Sequence, residues 1–425
     1  MKLSLDRLIR LGKHCFFKQY WSLLDDGLGF GLEEMTLATV NRTLPGMKIR
    51  NFTVPVPIIQ GGMGIGLSSY TLAGAVAKEG GMGVLSSAAL DRIVSKRHGK
   101  KLNPRDAAAQ DVRDAKAIGN NGFIGMNVMV ALINTYEASV LGSMDGGVDA
   151  IISGAGLPMS LPEIALKHPR ANDVALIPIA SSGRALDLIC RRWSRSGRLP
   201  DAVVVEGPLA GGHIAWRTIE EANDPANKLE NLLTDVFEVA KKWGNFPVIA
   251  AGGVYTHEDI CKSLDAGCAG VQMGTRFLAT IESGANAEYK KLLVECKEED
   301  IELSTKPGSP CGMMFRVIKQ STFYQEALRR ERAPKCDKGY LLNKGYCPSK
   351  HENEKTFCIC NGLLASINLN NANEKNLYTV GTNAFRIDRI MPVKELMCEL
   401  RGVAYEKEEN SPIEVLAHSS EALNP

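Results

Sequence analysis

Eight short apolar segments alternate with helical patterns between residues 56 and 276, and this order predicts an α/β fold, a (β/α)8 or TIM barrel. A second observation agrees with the first: the apolar segments end on Gly, Ser, Asn, Glu and His, so polar residues collect at the carboxyl ends of the strands. Barrels of this class carry their active sites at that end. The competing architecture is a doubly wound open sheet, which normally has fewer strands.

The predicted strands are short and apolar, as expected for strands buried on both faces of a parallel sheet. They span residues 56–60, 83–86, 123–127, 148–153, 174–180, 202–205, 247–251 and 269–273. Helices are predicted at 69–78, 104–117, 133–141 and 229–242, and around the helically spaced Leu186, Ile189 and Cys190. Thr256 is placed to cap the helix after the seventh strand. The basic stretch from Arg92 to Lys101 is predicted to be a solvated loop.

Three regions are predicted along the chain. Residues 1–46 share no periodicity with the segment that begins at Met47, and we interpret them as an N-terminal arm. The barrel, with an inserted substrate lobe, is predicted to span residues 47–330. Residues 331–425 are predicted to form a smaller, α-rich, cysteine-containing C-terminal subdomain and tail, with a final helix from Val393 to Leu400.

The composition is that of a globular protein, with 44% hydrophobic and 23% charged residues. The formal net charge is only +2 and no long basic run is present, which argues against nucleic acid or an anionic membrane as a partner. No apolar run reaches the roughly 18 residues that a membrane span needs, and the N-terminus lacks a compact signal core. We therefore expect a cytoplasmic protein that acts on a small molecule.

Eleven cysteines in a chain of this length, without a secretory signal, indicate reduced thiols rather than a disulfide framework. Four of them, Cys336, Cys347, Cys358 and Cys360, fall within residues 336–360 of the C-terminal region. Zinc sites prefer closely paired cysteines and iron–sulfur runs are also denser, so this spacing argues against a standard metal site. We predict thiols in a small packed subdomain and no metal.

The first predicted strand ends in a glycine-rich run, Gly61 to Gly66. A turn of this kind between a strand and a helix can be a dinucleotide fingerprint, but the glycines do not keep the G-x-G-x-x-G spacing and no acidic residue ends a second strand. The same run suits a flat cofactor that lies against the backbone.

The stretch from Asp201 to Trp216 reads DAVVVEGPLAGGHIAW and contains the first candidate catalytic residue. Gly211 and Gly212 allow the backbone to approach a flat ligand before His213 is presented. A histidine that follows a Gly-Gly pair after a buried strand is a candidate general base, because imidazole titrates near neutral pH. The alternative is that His213 only caps or fills a loop.

The seventh and eighth predicted strands end where barrels of this class commonly bind phosphate. Gly252 and Gly253 follow the seventh strand, and Gly274 and Thr275 follow the eighth. Glycines expose backbone N–H groups, the next helix adds a positive N-terminal dipole, and the Thr275 hydroxyl can donate one more hydrogen bond. Glycines needed only for tight turns are the alternative.

Five segments stand out in order along the chain: PIIQGGMG at 57–64, GMNVMV at 125–130, VVVEGPLAGGHIAW at 203–216, IAAGGV at 249–254 and GVQMGTRF at 270–277. Together they resemble the nitronate monooxygenase family, formerly called 2-nitropropane dioxygenases, which also includes FMN-dependent enoyl-[acyl-carrier-protein] reductases. Their order is far more specific than any one of them. The resemblance covers about residues 47–330, and the stretch 378–401 is similar to the closing segment of the family.

This resemblance implies a barrel that holds FMN, with His213 near the flavin as the catalytic base. It assigns Gly62 and Met63 to the isoalloxazine, Asn127 and Ser182 to further flavin contacts, Glu206 and Gly211 to the frame of the site, and Gly252, Gly253, Gly274 and Thr275 to the phosphate. Gln272, in the last motif, is also counted among the cofactor-binding residues, together with Gly212.

The chain departs from the family pattern at two places. Family members often have glycine soon after the histidine of the third motif, whereas here Ala215 and Trp216 follow, which reshapes the predicted substrate pocket. A Pro-Gly-Arg sequence is common in the family where this chain has Met314, Phe315 and Arg316, so only the arginine is kept.

Three functions are consistent with the sequence. The leading hypothesis is an FMN-dependent oxidoreductase that oxidises alkyl nitronates with O2 to carbonyl compounds and nitrite. The first alternative is an enoyl-thioester reductase that takes hydride from NAD(P)H. The second is a non-catalytic flavin-binding barrel, against which a histidine beside a glycine-rich rim argues.

Overall fold

The computed structural model describes residues 42–304, 309, 313–331, 339–340, 346, 358–369 and 374–406. The predicted N-terminal arm up to residue 41, Cys336, Cys347 and the tail after residue 406 lie outside the described residues. The described residues from Thr43 onward belong to one compact unit.

The core of the fold is a closed barrel of eight parallel strands, which confirms the predicted (β/α)8 class. An antiparallel hairpin, β1 (Met47–Ile49) and β2 (Phe52–Val54), precedes it. The barrel strands are β3 (Ile58–Gln60), β4 (Met82–Ser86), β5 (Ile124–Met129), β6 (Ala150–Gly154), β7 (Ala175–Ala180), β8 (Val203–Glu206), β10 (Val248–Ala251) and β11 (Gly270–Met273). Around the barrel their order is β10-β11-β3-β4-β5-β6-β7-β8, and β8 pairs with β10 to close it.

Helices alternate with the barrel strands, and further helices follow the last of these strands. They are α1 (Tyr70–Lys78), α2 (Leu90–His98), α3 (Pro104–Ile118), α4 (Tyr136–Asp145), α5 (Leu161–Ala165), α6 (Gly183–Ser194), α7 (Ile219–Asn223), α8 (Leu229–Trp243), α9 (His257–Asp265), α10 (Thr275–Leu278), α11 (Ala287–Glu295), α12 (Thr322–Leu328), α13 (Cys360–Ala365) and α14 (Val393–Arg401). Short 3-10 helices lie at Pro225–Asn227, Glu298–Asp300 and Thr382–Arg386. Among the helices that the structure describes, none combines the length and the apolar character needed to cross a bilayer.

Strand β8 shows why the sequence folds in this way. Val203 and Val205 pack in the same apolar cluster as residues of α6 and α8, whereas Val204 belongs to a separate cluster formed largely by strand residues. Successive side chains of a strand point to opposite faces, so both faces of β8 are buried. All three valines are fully buried, which accounts for the uninterrupted apolar run.

A second, smaller sheet lies outside the barrel and contains the candidate histidine. Strand β9 (Gly212–Ile214) pairs antiparallel with β13 (Met314–Ile318), which pairs in turn with β12 (Ile301–Ser304). Two segments about 100 residues apart in the chain are thereby joined. The sequence did not predict this sheet, since pairing over such a separation leaves no local periodicity.

The basic stretch from Arg92 to Lys101 was predicted to be a loop, and this prediction is wrong over most of its length. Helix α2 extends to His98 and ends at Gly99, which has φ +64°. Arg97 donates a hydrogen bond to the buried Asp111 of α3 at 2.8 Å, and its guanidinium lies over the Tyr70 ring at 4.1 Å. The helix is therefore stabilised by tertiary contacts that local composition does not reveal.

The C-terminal segments pack on the barrel helices. Helix α14, which confirms the predicted final helix, places Val393, Leu396 and Met397 in the same apolar cluster as Leu72 and Val76 of α1. The predicted division of the chain at residue 331 stays a prediction.

Candidate active site

A cavity of about 1090 Å³ opens at the carboxyl ends of the barrel strands. Pockets for small molecules and cofactors usually measure about 300–1,000 Å³, so this cavity is slightly larger than that range. It is lined by every site residue that the sequence predicted: Gly62, Met63, Asn127, Ser182, Glu206, Gly211, Gly212, His213, Gly252, Gly253, Gln272, Gly274 and Thr275. Residues from the ends of several different strands or the loops after them thus meet at one place.

His213 lies in strand β9, not in the open loop that the sequence suggested. Its backbone pairs with Phe315 of β13, and the two ring centroids are 6.3 Å apart at a tilt of 53°. The side chain is half-buried and lines the cavity. A strand partner restricts the backbone more than a loop does, so the imidazole is held at a defined position on the cavity wall.

Arg316 fixes the loop that precedes His213. Its backbone pairs with Gly212, and its buried guanidinium donates hydrogen bonds to the carbonyl oxygens of Ala210 and, at 3.0 Å, of Pro208. Burial lowers the pKa of Arg316 to about 10, which leaves it charged at neutral pH. The one residue kept from the Pro-Gly-Arg pattern of the family is therefore the one that holds this loop.

Glu206 ends strand β8 and lines the same cavity. Removal of solvent raises the pKa of its carboxyl to about 7, while the positive charge of protonated His213 acts in the opposite direction. A carboxyl with this pKa exchanges its proton near neutral pH. The site therefore contains two groups able to handle a proton, of which the sequence had singled out only His213 for that role.

The glycine-rich loop after β3 is held by two buried polar residues that the sequence analysis missed. Gln60 Nε2 donates to Ser68 Oγ at 2.8 Å, and Ser68 Oγ accepts from the Met63 N–H at 2.8 Å. Gln60 Oε1 accepts from the Val84 N–H at 3.1 Å, which ties the network to β4. A glutamine in an otherwise apolar strand was the signal for this network.

Glycines of the site serve close packing of the chain as well as ligand access. A Cβ atom at Gly62 would lie 2.3 Å from Asn127 Cβ, and one at Gly211 would lie 2.6 Å from the Gly381 nitrogen. Gly212 has φ +67° and nothing within 4 Å of such an atom. Of the two glycines before His213, Gly212 is thus the one that leaves space beside the cavity, whereas Gly211 is required by a neighbouring backbone.

The predicted phosphate end has the expected glycines but a different arrangement of helices. Gly252 and Gly253 have φ +88° and +97°, a conformation that favours glycine. Helix α10 after β11 has only four residues. Helix α9 begins with a capping box, in which Thr256 Oγ1 accepts from the Asp259 N–H at 3.2 Å. The predicted contribution of a helix dipole to anion binding stays a prediction.

A segment near residue 380 covers this end and was not expected from the sequence. The Gly381 N–H donates to Thr275 Oγ1 at 2.9 Å, and Asn383 Nδ2 donates to the Gly253 carbonyl at 2.8 Å. The Thr382 hydroxyl donates to the Leu209 carbonyl at 3.1 Å. The segment thus connects the loops after β8, β10 and β11.

Gln272 and Ser182 complete the predicted set. Gln272 is 8% exposed, and its Oε1 atom has no hydrogen-bond partner among the residues that the structure describes. A buried amide oxygen without a donor costs free energy, so its position on the cavity wall fits a ligand that brings an N–H group. Ser182 caps α6, where its Oγ accepts from the Ala185 N–H at 3.2 Å.

Metal ligands are a separate question. His, Cys, Asp and Glu side chains of the described residues form no group of three or more that could hold a metal ion. Cys358 and Cys360 are described, but Cys336 and Cys347 are not, so the absence of metal from the cysteine segment stays a prediction.

The fold and the cavity together define a parallel α/β barrel with a ligand site at the carboxyl ends of its strands. The family model described as nitronate monooxygenase matches residues 46–402. The chain belongs to this family, and we class it as a flavin-dependent oxidoreductase.

Similar proteins are known as sequences and as structures. A "Probable nitronate monooxygenase" of Bacillus subtilis (strain 168) is 27% identical over 272 residues, which cover 60% of this chain and 75% of that protein. FabK from Thermotoga maritima is similar in structure, with a TM-score of 0.57 and 24% identity over 81% of this chain and 91% of the other. A nitroalkane oxidase from Streptomyces ansochromogenes gives a TM-score of 0.58 and 22% identity over 87% and 98%. At these identities the two structures support the fold alone.

Proposed function

We propose that this protein binds FMN and oxidises alkyl nitronates with molecular oxygen, giving a carbonyl compound and nitrite. The observation that supports this most directly is the position of His213, which β13 fixes on the wall of a cavity large enough for a flavin and a substrate. Membership of the nitronate monooxygenase family supports the same chemistry.

The cavity residues fit this cofactor. In this proposal Gly252, Gly253, Gly274 and Thr275 hold the phosphate, and Gly62, Met63, Asn127, Ser182, Glu206, Gly211 and Gly212 surround the remainder. Gln272 supports the fit independently, because a ring N–H of the flavin would give its buried Oε1 a donor.

When bound, FMN supplies the electron chemistry, and the protein supplies position, a base and a site sheltered from water. His213 accepts a proton from the carbon beside the nitro group when the substrate is a neutral nitroalkane. A nitronate has already lost that proton, so His213 then binds and orients it. The Glu206 carboxyl, with a pKa of about 7 and within electrostatic reach of His213, influences the charge of the imidazole.

The competing function is reduction of an enoyl thioester by NAD(P)H in the same barrel. Purified protein should be yellow, take up oxygen with an alkyl nitronate and leave NAD(P)H unconsumed when an enoyl thioester is added. NAD(P)H consumption without nitronate-dependent oxygen uptake would replace the proposal with the reductase. Bound flavin with neither activity would favour a non-catalytic flavin-binding barrel.

A further inference from the structure

The two ends of the cavity differ in chemistry, and the strand order places them on opposite sides of the barrel. In the closed order β10-β11-β3-β4-β5-β6-β7-β8, β5 lies across from β10 and β6 lies across from β11. The proposed phosphate residues follow β10 and β11. Large apolar side chains, Met129, Leu132 and Leu157, end β5 or follow β5 and β6 and line the cavity there.

The apolar side is a continuous packed surface, which we call the apolar wall. Its members belong to one hydrophobic cluster and also line the cavity: Ile65, Ala88, Met129, Leu132, Tyr340 and Leu363. They end or follow β3, β4 and β5, or belong to two C-terminal segments that pack against them. The wall therefore extends from β5, across the barrel from β10, round to β3, which pairs with β11. None of these side chains carries a formal charge, and the Tyr340 hydroxyl is the one polar group among them.

One further apolar side chain of the cavity lining is partly exposed to solvent. Leu157, which follows β6, lines the cavity and is 39% exposed. Exposed apolar side chains at the rim of a cavity often mark a ligand-binding surface. A nitronate with one or two carbons would leave both the wall and this rim uncovered.

We propose that the apolar wall binds a long, unbranched alkyl chain of the substrate, whose reacting carbon lies at His213. This inference rests on the proposed function and names its substrate class: nitronates with an extended alkyl chain rather than small ones. Fatty acyl thioesters carry the same kind of alkyl chain, and the experiment below distinguishes them from alkyl nitronates.

The test compares ethyl, butyl, hexyl and octyl nitronates as substrates of the flavin-loaded full-length protein. Burial of one methylene should raise kcat/KM about three- to fourfold, until the chain outgrows the wall. Calorimetric titration with the unreactive carboxylates from butanoate to decanoate should show the same trend in Kd and requires no turnover. A kcat/KM and a Kd that do not change with chain length would overturn the inference.

Two variants test whether the alkyl chain of the substrate lies on the apolar wall. Leu132→Asn keeps the side-chain size but adds a polar amide, and Met129→Gln is a second variant of similar design should the first fail to fold. Each should lower the octyl-to-ethyl ratio of kcat/KM by about tenfold, because the alkyl chain then meets a polar surface. Leu188→Asn, at a residue of α6 that is 44% exposed and is not part of the cavity lining, is the matched control and should keep the parent ratio. If the octyl-to-ethyl ratio of kcat/KM is unchanged in both wall variants, the alkyl chain does not lie on the apolar wall.

Failure of this inference and failure of the proposed function give different results. Nitronate turnover without chain-length dependence contradicts the apolar wall alone. Chain-length-dependent carboxylate binding without nitronate turnover contradicts the proposed function and the nitronate class, but supports the apolar wall as the site of an alkyl chain. If NADPH is consumed faster with an octenoyl than with a crotonyl thioester, the alkyl chain that binds the wall comes from a fatty acyl thioester. That result would overturn nitronates as the substrate class.

Discussion

His213 and Phe315 face each other across two antiparallel strands, although they are separated by about 100 residues in the chain. Their rings lie 6.3 Å apart, and Phe315 is fully buried. The strand that carries Phe315 also carries Arg316, whose guanidinium holds the carbonyl oxygens of Pro208 and Ala210. The candidate base is therefore positioned by a strand outside the barrel.

Replacement of Arg316 by methionine should destabilise the protein. The substitution keeps much of the side-chain volume but removes the donors from two carbonyl oxygens in a buried region. Loss of hydrogen bonds from a charged group should lower the free energy of unfolding by about 2 to 3 kcal/mol. Chemical denaturation of the parent and the variant measures this difference in the free energy of unfolding.

Arg191→Met is the matched control for this prediction. Arg191 is 61% exposed and pairs with Asp187 on the surface of α6, so its loss should cost less than about 1 kcal/mol. Equal losses in the two variants would contradict the role given to Arg316.

Replacement of Glu206 by glutamine should stabilise the flavin-free protein more at high pH than at low pH. The usual pKa of 4.5 is raised to about 7 by burial, so the folded protein binds this proton more tightly than the unfolded chain does. The stability that the group contributes is complete below pH 4.5 and is lost as the pH rises through 7. Glutamine cannot ionise, so the gain in Tm over the parent should be larger at about pH 8 than at about pH 5. Equal gains at the two pH values would show that Glu206 titrates normally.

Replacement of Gly274 by valine should weaken FMN binding while the protein still folds. Gly274 has φ −114°, and a Cβ atom there would meet only Met63, at distances of 3.4 Å and more, so the backbone tolerates a side chain. A side chain that enters the proposed phosphate site should lower the affinity for FMN by about tenfold or more. Gly253 is a less direct choice, because its φ of +97° would add backbone strain to any substitution.

Riboflavin is the control ligand for the Gly274 variant, because it has the same ring system without the phosphate. Its affinity should change little between parent and variant. Parent protein that binds FMN and riboflavin equally well, or a variant that loses both to the same extent, would place the phosphate elsewhere.

The sequence predicted the barrel and its cavity residues well for a physical reason. Each parallel strand is buried on both faces, so runs such as Val203 to Val205 stand out, and residues that end parallel strands must meet at one end of a closed barrel. The residues that end or come after separate strands therefore line one cavity, whereas their assignment to a flavin came from the family resemblance.

The contacts that the sequence did not predict join distant segments. Nothing local to Gly212 and His213 indicates a pairing with Phe315 and Arg316. Nothing in the basic stretch of α2 indicates that Arg97 contacts Asp111 of α3. The hydrogen bond from Gly381 to Thr275 spans an equally long stretch of chain. Such contacts depend on tertiary packing, which periodicity and local propensity do not indicate.

The role of His213 is tested most directly by the rates of the His213→Asn variant on a neutral nitroalkane and on the corresponding nitronate, with oxygen uptake as the measurement. Loss of a general base should slow oxidation of the neutral nitroalkane by about 100-fold or more, if the parent uses one, and should slow that of the nitronate much less. FMN content should stay near that of the parent, and His98→Asn, which lies outside the cavity lining, should behave as the parent does. If His213→Asn oxidises the neutral nitroalkane as fast as the parent, His213 is not the base and the central claim is wrong.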